Sequence, residues 1–368
     1  MKPDVKGIIL ARLFGRWRLP SPFEEGYTIV LPSPMDMPFL LRFALEGIQH
    51  LDTTNCRQIL IVPDGWGDDG GAGLKAVMKQ FDDPRLQIVD LRRRDIFLTR
   101  RFKPPGGSAT HWMQIVHATN HCRCEHAFLH DADAFHISRD GIERQYRETR
   151  DRGMYTLGVT ARWDPFFIEN GFTIPGTWEL MYSTRWARSR PPLSLKGRLT
   201  KTPHGWNEFD SMLYPQYLDH ESGKVGVMDS PPGFVHFSGS IFTYRLFRDR
   251  DGATVRDELF RILLLAILED LIPAADGRRV TPQVKDLYPG ITDPNAPVTY
   301  VSEVSEKSYP EFREMMEQLC DCPVFAGERA DRMRALLAPF DEHWAKLAEQ
   351  RGDADLKPVG AFRRSGLG

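Results

Sequence analysis

Four short β-branched or apolar runs, YTIVL (Tyr27–Leu31), ILIVPDG (Ile59–Gly65), LQIVD (Leu86–Asp90) and HAFLHDADAF (His126–Phe135), are each separated by a segment of helical spacing. This alternation limits the fold more than any other feature. A short continuous apolar run suits a strand buried on both faces, and strands that alternate with helices build a parallel sheet covered on both sides. Behind Asp36 and Pro38, apolar residues at Phe39, Leu40, Phe43, Leu45 and Ile48 predict a helix over 37–50. Further helices are expected near 72–81 and 109–120, the second after the Pro-Pro-Gly-Gly loop at 104–107. A β-α-β-α-β-α-β order is then complete by residue 135, and the fold class is α/β.

YTLGVTA (Tyr155–Ala161) predicts another strand and opens a region over 162–233 rich in Trp, Tyr and Pro. GFVHFSGSIFTY (Gly233–Tyr244) predicts a strand returning to the sheet. Beyond it, Glu258–Ile272, Pro310–Leu319 and Glu328–Glu349 are helical patterns, the last interrupted near Pro339. The expected organisation is an N-terminal extension (1–26), an α/β domain (27–245) with halves 27–135 and 136–245, a C-terminal helical region (246–357) and a disordered tail (358–368).

With 48 Lys+Arg against 50 Asp+Glu, the net charge of −2 argues against electrostatic nucleic-acid binding. The longest apolar run, Ile262–Leu268, is far short of the roughly 20 residues that a bilayer-spanning helix needs. The opening MKPDVKGIILARLFGRWRLP has no small-residue cleavage site, so the chain reads as unprocessed and cytoplasmic. Its basic and aromatic residues also suit peripheral contact with an anionic membrane surface. Cys56, Cys122, Cys124, Cys320 and Cys322 form a poor disulfide framework and read as reduced thiols.

Asp131 and Asp133 stand two apart at the carboxyl end of an apolar run, where a strand's period of two points both to one side. Two carboxylates there suit Mg²⁺ or Mn²⁺, hard ions that complete their shells with substrate phosphates. An acid pair that caps a turn is the alternative. Downstream, TPHGWNEFDSMLYPQYL (Thr202–Leu218) carries Glu208 and Asp210 beside Trp206, and either acid could take a proton from an attacking hydroxyl or interact with a helix dipole. His117, His121, Cys122, Cys124, His126 and His130 have the composition of a zinc site without its usual spacing.

The stretch from Tyr27 to Phe135 resembles the nucleotide-binding half of the GT-A glycosyltransferases. YTIVLPSPMD resembles their first strand and donor loop, ILIVPDG their second strand, and GSATHWMQIVHATNHCRCEHAFLHDADAF the helix and strand that deliver their DxD motif. The resemblance implies a Rossmann-like GT-A sheet with appended C-terminal helices and transfer of a sugar from a nucleotide-diphosphate donor to an acceptor hydroxyl. Pro32, Asp36, Asp64 and Asp131 become candidate donor contacts, with a UDP-sugar as first choice and a GDP-sugar as second. Where the inverting family of chitin and cellulose synthases often has Ala-Arg-Asn, this chain reads Thr110-His111-Trp112.

FVHFSG (Phe234–Gly239) resembles the late HFxG segment of glycogenin-like enzymes, which makes His236 a third candidate metal ligand beside Asp131 and Asp133. That likeness implies retention at the anomeric carbon. An inverting enzyme would instead need a base, for which Asp210 comes first and Glu208 second. The expected acceptor is a glycan, glycolipid or small molecule, with Trp178 and Trp206 as candidate walls of its groove and the Arg185–Lys201 basic set as a candidate anion attractor. A nucleotidyltransferase of related fold and a non-catalytic nucleotide-binding module are the competing readings.

Overall fold

The computed structural model describes residues 22–65, 71–93, 109–159, 164–229, 233–237, 239–249, 259–272, 279–287 and 303–351, with isolated positions at 9, 16–17 and 97. The expected tail (358–368), most of the N-terminal extension, the Pro-Pro-Gly-Gly loop and Trp163 lie outside them. The described chain divides into two compact units. One comprises Met1–Ala134 with Ser138–Gly233, the other Phe135–Ile137 with Phe234–Gly368.

The first unit is built on strands β1 (Glu24–Ser33), β2 (Cys56–Pro63), β3 (Leu86–Ile88), β4 (Cys124–Leu129), β6 (Thr156–Gly158), β7 (Leu180–Ser183) and β10 (Val225–Val227), with β5 (Ala134–His136) following β4 in the chain. The sheet order is β10-β6-β7-β4-β1-β2-β3. All pairings are parallel except those of β7, which runs antiparallel to both β4 and β6. The fold is therefore α/β as expected, with one reversed strand in an otherwise parallel sheet.

Alternation along each strand sorts its side chains to two cores. Tyr27, Ile29 and Leu31 of β1, Ile59 and Ile61 of β2, Phe128 of β4 and Met181 of β7 pack with Leu41, Leu45 and Ile48 of the helix Pro38–His50, with Leu74 of Ala72–Met78, and with Ile142 and Tyr146 of Gly141–Asp151. Val30, Leu60, Val62, Ala127, Leu129, Leu180 and Tyr182 face the opposite way, onto Trp112, Met113, Ile115 and Val116 of Ala109–His121 and onto Trp186 of the short helix Thr184–Arg188. The Trp112 indole, fully buried, donates to the Pro192 carbonyl at 2.9 Å. A two-stranded antiparallel hairpin, β8 (Arg198–Thr202) and β9 (Gly205–Phe209), stands apart from the main sheet.

The second unit pairs β5 with β11 (Phe234–His236) and surrounds the helix Leu259–Leu271, whose residues Ile262–Leu268 are wholly buried. A helix apolar on every side has no solvent face to offer and so becomes a core. Phe260 stacks on Phe312 of the helix Glu303–Cys320, and Arg313 donates to Asp341 of Glu328–Arg351 at 3.1 Å. Two expectations are corrected here. The predicted strand Gly233–Tyr244 is a strand only over Phe234–His236 and is a helix over Ser240–Asp249, and the last helix continues through Pro339. Among the described residues no helix is long and apolar enough to cross a membrane.

The His/Cys-rich stretch is tied into the fold by hydrogen bonds. His121 Nδ1 bonds the His117 carbonyl at 2.7 Å, and the buried Cys122 thiol donates to Thr28 Oγ1 at 3.2 Å. Among the described residues no three of those histidines and cysteines bring ligand atoms together. Burial pushes the Cys124 thiol up to about 12 and the Cys56 thiol up to about 11, and pulls the His126 imidazole down to about 4, with Arg150 adding to that fall.

Replacing Phe128, buried on a central strand, with alanine is expected to cost about 3–5 kcal/mol in urea unfolding, against less than about 0.5 kcal/mol for Leu199→Ala at an exposed site. His126 is neutral in the fold, so the unfolded chain binds more protons between its ordinary value near 6.5 and about 4. Its contribution is complete above pH ~6.5 and falls away as pH drops toward 4. Melts of His126→Gln at pH 7 and pH 5 should show a smaller acid loss than the unsubstituted chain.

Candidate functional site

Prolines close β1 and β2, because a proline has no N–H to extend a ladder. The register matches Pro32 with Val62 and Ser33 with Pro63, so β1 and β2 finish level. Asp64 N then donates to the Ser33 carbonyl at 3.1 Å, and Asp64 Oδ1 accepts from Met35 N at 3.2 Å. On the other side Val30 matches Leu129, and His130 N donates to the Val30 carbonyl at 3.0 Å. The carboxyl ends of β2, β1 and β4 thus lie side by side at the spacing of strands, about 4.8 Å.

The chain leaves β1 through the helix on one face and reaches β4 through the helix on the other. The boundary between β1 and β4 is therefore a topological switch point, and the crevice outside the carboxyl ends at such a point is where open α/β sheets take ligands. Five candidates surround it: Pro32 is the last residue but one of β1, Asp36 follows β1, Asp64 follows β2, and Asp131 and Asp133 follow β4. Pro32 and Asp36 are half-buried, whereas Asp64 and Asp133 are buried. Asp131 keeps 25% of its side chain exposed, with His111 Nε2 of the first helical turn 4.0 Å from its Oδ1.

The acids do not lie on a strand. Strand β4 stops at Leu129 and β5 starts at Ala134, so Asp131 and Asp133 occupy the intervening turn, closed by Ala134 N donating to the Asp131 carbonyl at 3.1 Å. Strand alternation therefore does not align them, and the turn sets their directions. His236 ends β11 in the second unit. That strand pairs with β5, whose first residue follows Asp133 directly in the chain.

The later candidates are spread along the hairpin and beyond it. Glu208 is exposed on the outer face of β9, opposite Leu199, and Trp206 shares that face at 66% exposure, opposite Lys201. Asp210 is half-buried just past β9 and accepts from Ser211 N at 2.6 Å. Two residues on, Met212 takes a left-handed conformation (φ 64°) and starts the helix Leu213–Asp219. Trp178 is half-buried.

Three of the six residues in the basic set are held by contacts within the fold. Arg188 donates to the Thr119 and Cys122 carbonyls at the end of the helix Ala109–His121, Arg190 pairs with Asp219, and Arg198 donates to the Leu193 carbonyl at 3.0 Å. Two further residues adjoin the site: His130, which the sequence offered only among candidate zinc ligands, and Glu179, which it did not offer at all. His130, beside Asp131, hydrogen-bonds Glu179 through its Nδ1, and both side chains are buried. They are 49 positions apart, a contact that no local pattern announces.

No family model matches the chain, and no curated protein matches its sequence. Solved structures similar to it include the galactosyltransferase LgtC with donor and acceptor sugar analogues, at 13% identity and a TM-score of 0.37, covering 46% of this chain and 62% of that one. The chain thus spans less than two thirds of that enzyme. TarS 1–349 of S. aureus with UDP-GlcNAc has 12% identity, a TM-score of 0.36 and coverages of 89% and 92%. A mannosyltransferase from Pyrobaculum calidifontis with GDP-Man and Mn²⁺ has 15% identity, a TM-score of 0.38 and coverages of 96% and 90%. Likeness at this level assigns no activity.

Proposed function

We propose that this protein is a metal-dependent glycosyltransferase of the GT-A type that moves a sugar from a nucleotide-diphosphate donor to an acceptor hydroxyl. The observation that carries this reading is the acid pair Asp131 and Asp133 in the turn directly after β4, beside the β1/β4 switch point. Such a crevice suits a nucleotide, and a carboxylate pair at its mouth suits a cation that accompanies a diphosphate.

The donor set fits the expected ion. Asp131 and Asp133 offer carboxylate oxygens, and His236, on the strand that pairs with β5, offers an imidazole nitrogen. Two carboxylates and an imidazole suit Mn²⁺ or Mg²⁺ better than a thiolate-seeking metal. When bound, the cation would offset the charge that builds on the leaving diphosphate.

Pro32, Asp36 and Asp64 face the nucleoside in this reading. Asp64 contributes through the loop that it fastens at Met35 N, so its carboxylate shapes the wall of the donor pocket. Asp210, half-buried at the head of a helix, is the base that would take the acceptor's proton if the configuration inverts. Glu208, exposed on the outer hairpin face, stands second. Trp206 on that face offers an indole on which an acceptor sugar can stack, and a glycan or glycolipid is the acceptor class that suits it. Five unpaired thiols suit a reducing cytoplasm.

Calorimetric titration of UDP, GDP and their sugar conjugates, with and without Mn²⁺, tests the reading. One nucleotide should bind in a metal-dependent way, and Asp133→Ala should weaken that binding by about 100-fold or more. Absence of nucleotide binding under every condition would falsify it. Asp210→Asn should lower kcat by about 10²–10⁴-fold with donor affinity unchanged if the reaction inverts. An unaltered kcat would remove Asp210 from the chemistry and leave the retaining route.

A further inference from the structure

The antiparallel ladder of β4 and β7 pairs Leu129 with Leu180, and the residues just beyond that pair are His130 and Glu179. Their side chains meet across the end of the ladder, with Glu179 accepting from His130 Nδ1, and they are 3% and 0% exposed. Phe128 stacks on the His130 ring, with planes 17° apart and centroids 6.0 Å apart. Burying a histidine and a carboxyl group together is a weak route to stability, because desolvation offsets much of what their contact gains. An apolar pair would close this ladder as well.

The backbone at Glu179 is also held in an unfavourable state. Its φ of 54° lies in the left-handed region, which ordinarily selects glycine or asparagine. The surroundings enforce it. Gln145 Nε2 donates to the Glu179 carbonyl at 3.0 Å and to the Leu157 carbonyl at 2.8 Å. Gly158 lies against the same carbonyl so closely that a Cβ there would come within 3.1 Å of the oxygen. Strain of this kind persists where surrounding structure over-determines it, and such residues cluster at functional sites.

His130 is the last residue before the acid turn, and its own N–H is fixed to Val30 on the neighbouring strand. With both its backbone and its ring anchored, the chain enters residues 131–133 along a single path. We propose that Glu179 is a positioning residue that, through His130, presets the directions of the Asp131 and Asp133 carboxylates for a divalent cation. This rests on the glycosyltransferase reading, and the role given to Glu179 is exerted through His130. The turn needs such a support because the acids have left the strand and have no ladder to align them.

The test measures Mn²⁺ affinity of the full chain by calorimetry, for the unsubstituted protein, Glu179→Gln and Glu179→Gly, together with Tm and with nucleotide affinity in the absence of metal. Glu179→Gln keeps the size of the side chain and replaces its carboxyl group with an amide. Glu179→Gly removes the carboxylate while relieving the backbone, which separates positioning from strain. Both variants are expected to raise the Mn²⁺ Kd by about 10–100-fold, with metal-free nucleotide affinity unchanged. Folded variants that bind Mn²⁺ as the unsubstituted chain does would overturn the proposal and leave the glycosyltransferase reading standing. Should Glu179→Gln fold poorly, Glu179→Gly decides alone. If the unsubstituted chain binds neither Mn²⁺ nor nucleotide, the enzymatic reading falls and the positioning role with it.

Discussion

Strand β1 has no solvent side. Tyr27, Thr28, Ile29, Val30 and Leu31 are all fully buried, so both its faces need helices and both its edges need strands. That requirement places β2 on one flank and β4 on the other, with the connecting helices on opposite faces. The crevice follows from it. A central strand of this kind cannot be covered by consecutive right-handed crossovers on one side only, and where the covering changes side the strand ends separate. The acids after β4 and the fastened loop of Asp64 and Met35 are placed there because β1 is buried.

Much of the first unit was legible because strand and helix periods differ and punctuation is explicit. The runs at Tyr27, Ile59 and Leu86 become β1, β2 and β3, and the Phe39-to-Ile48 spacing becomes a helix. The reversed strand β7 was not legible. It has only four residues, Leu180–Ser183, lies within a Trp- and Tyr-rich region, and takes its direction from pairing with β4 and β6. HAFLHDADAF reads as one continuous strand, but the ladder of β4 ends at Leu129 and a turn takes the acids. Residues 233–244 read as one strand because Ile241, Phe242 and Tyr244 are good strand formers, yet from Ser240 the chain is helical. The identities of the acids were readable from the chain, whereas their support by Glu179 depends on a contact between segments far apart in sequence.

Polar groups as well as apolar ones close the sheet. The helix Gly141–Asp151 has a polar sequence, yet it buries Glu143 and Gln145. Glu143 accepts from the Tyr27 hydroxyl at 2.9 Å and from Asn55 N at 2.7 Å, tying the start of β1 to the turn before β2. Gln145, two residues on, bridges the Leu157 and Glu179 carbonyls. Buried polar groups gain their value when every member finds a partner, and such networks favour one arrangement over near alternatives. One helix therefore fastens both the opening of the sheet and the segment that supports the acid turn.

All five thiols are buried, three in the sheet unit and two, Cys320 and Cys322, in the helical unit. Burial holds four of them well above the ordinary thiol range, from about 11 at Cys56 and Cys320 to about 12 at Cys124 and Cys322. Alkylating and oxidising reagents attack thiolates, so the native chain is shielded from them twice, by access and by protonation. Sulfur becomes reactive when its own unit opens. Modification of Cys56, Cys122 or Cys124 thus marks an opening in the sheet unit, and modification of Cys320 or Cys322 an opening in the helical unit.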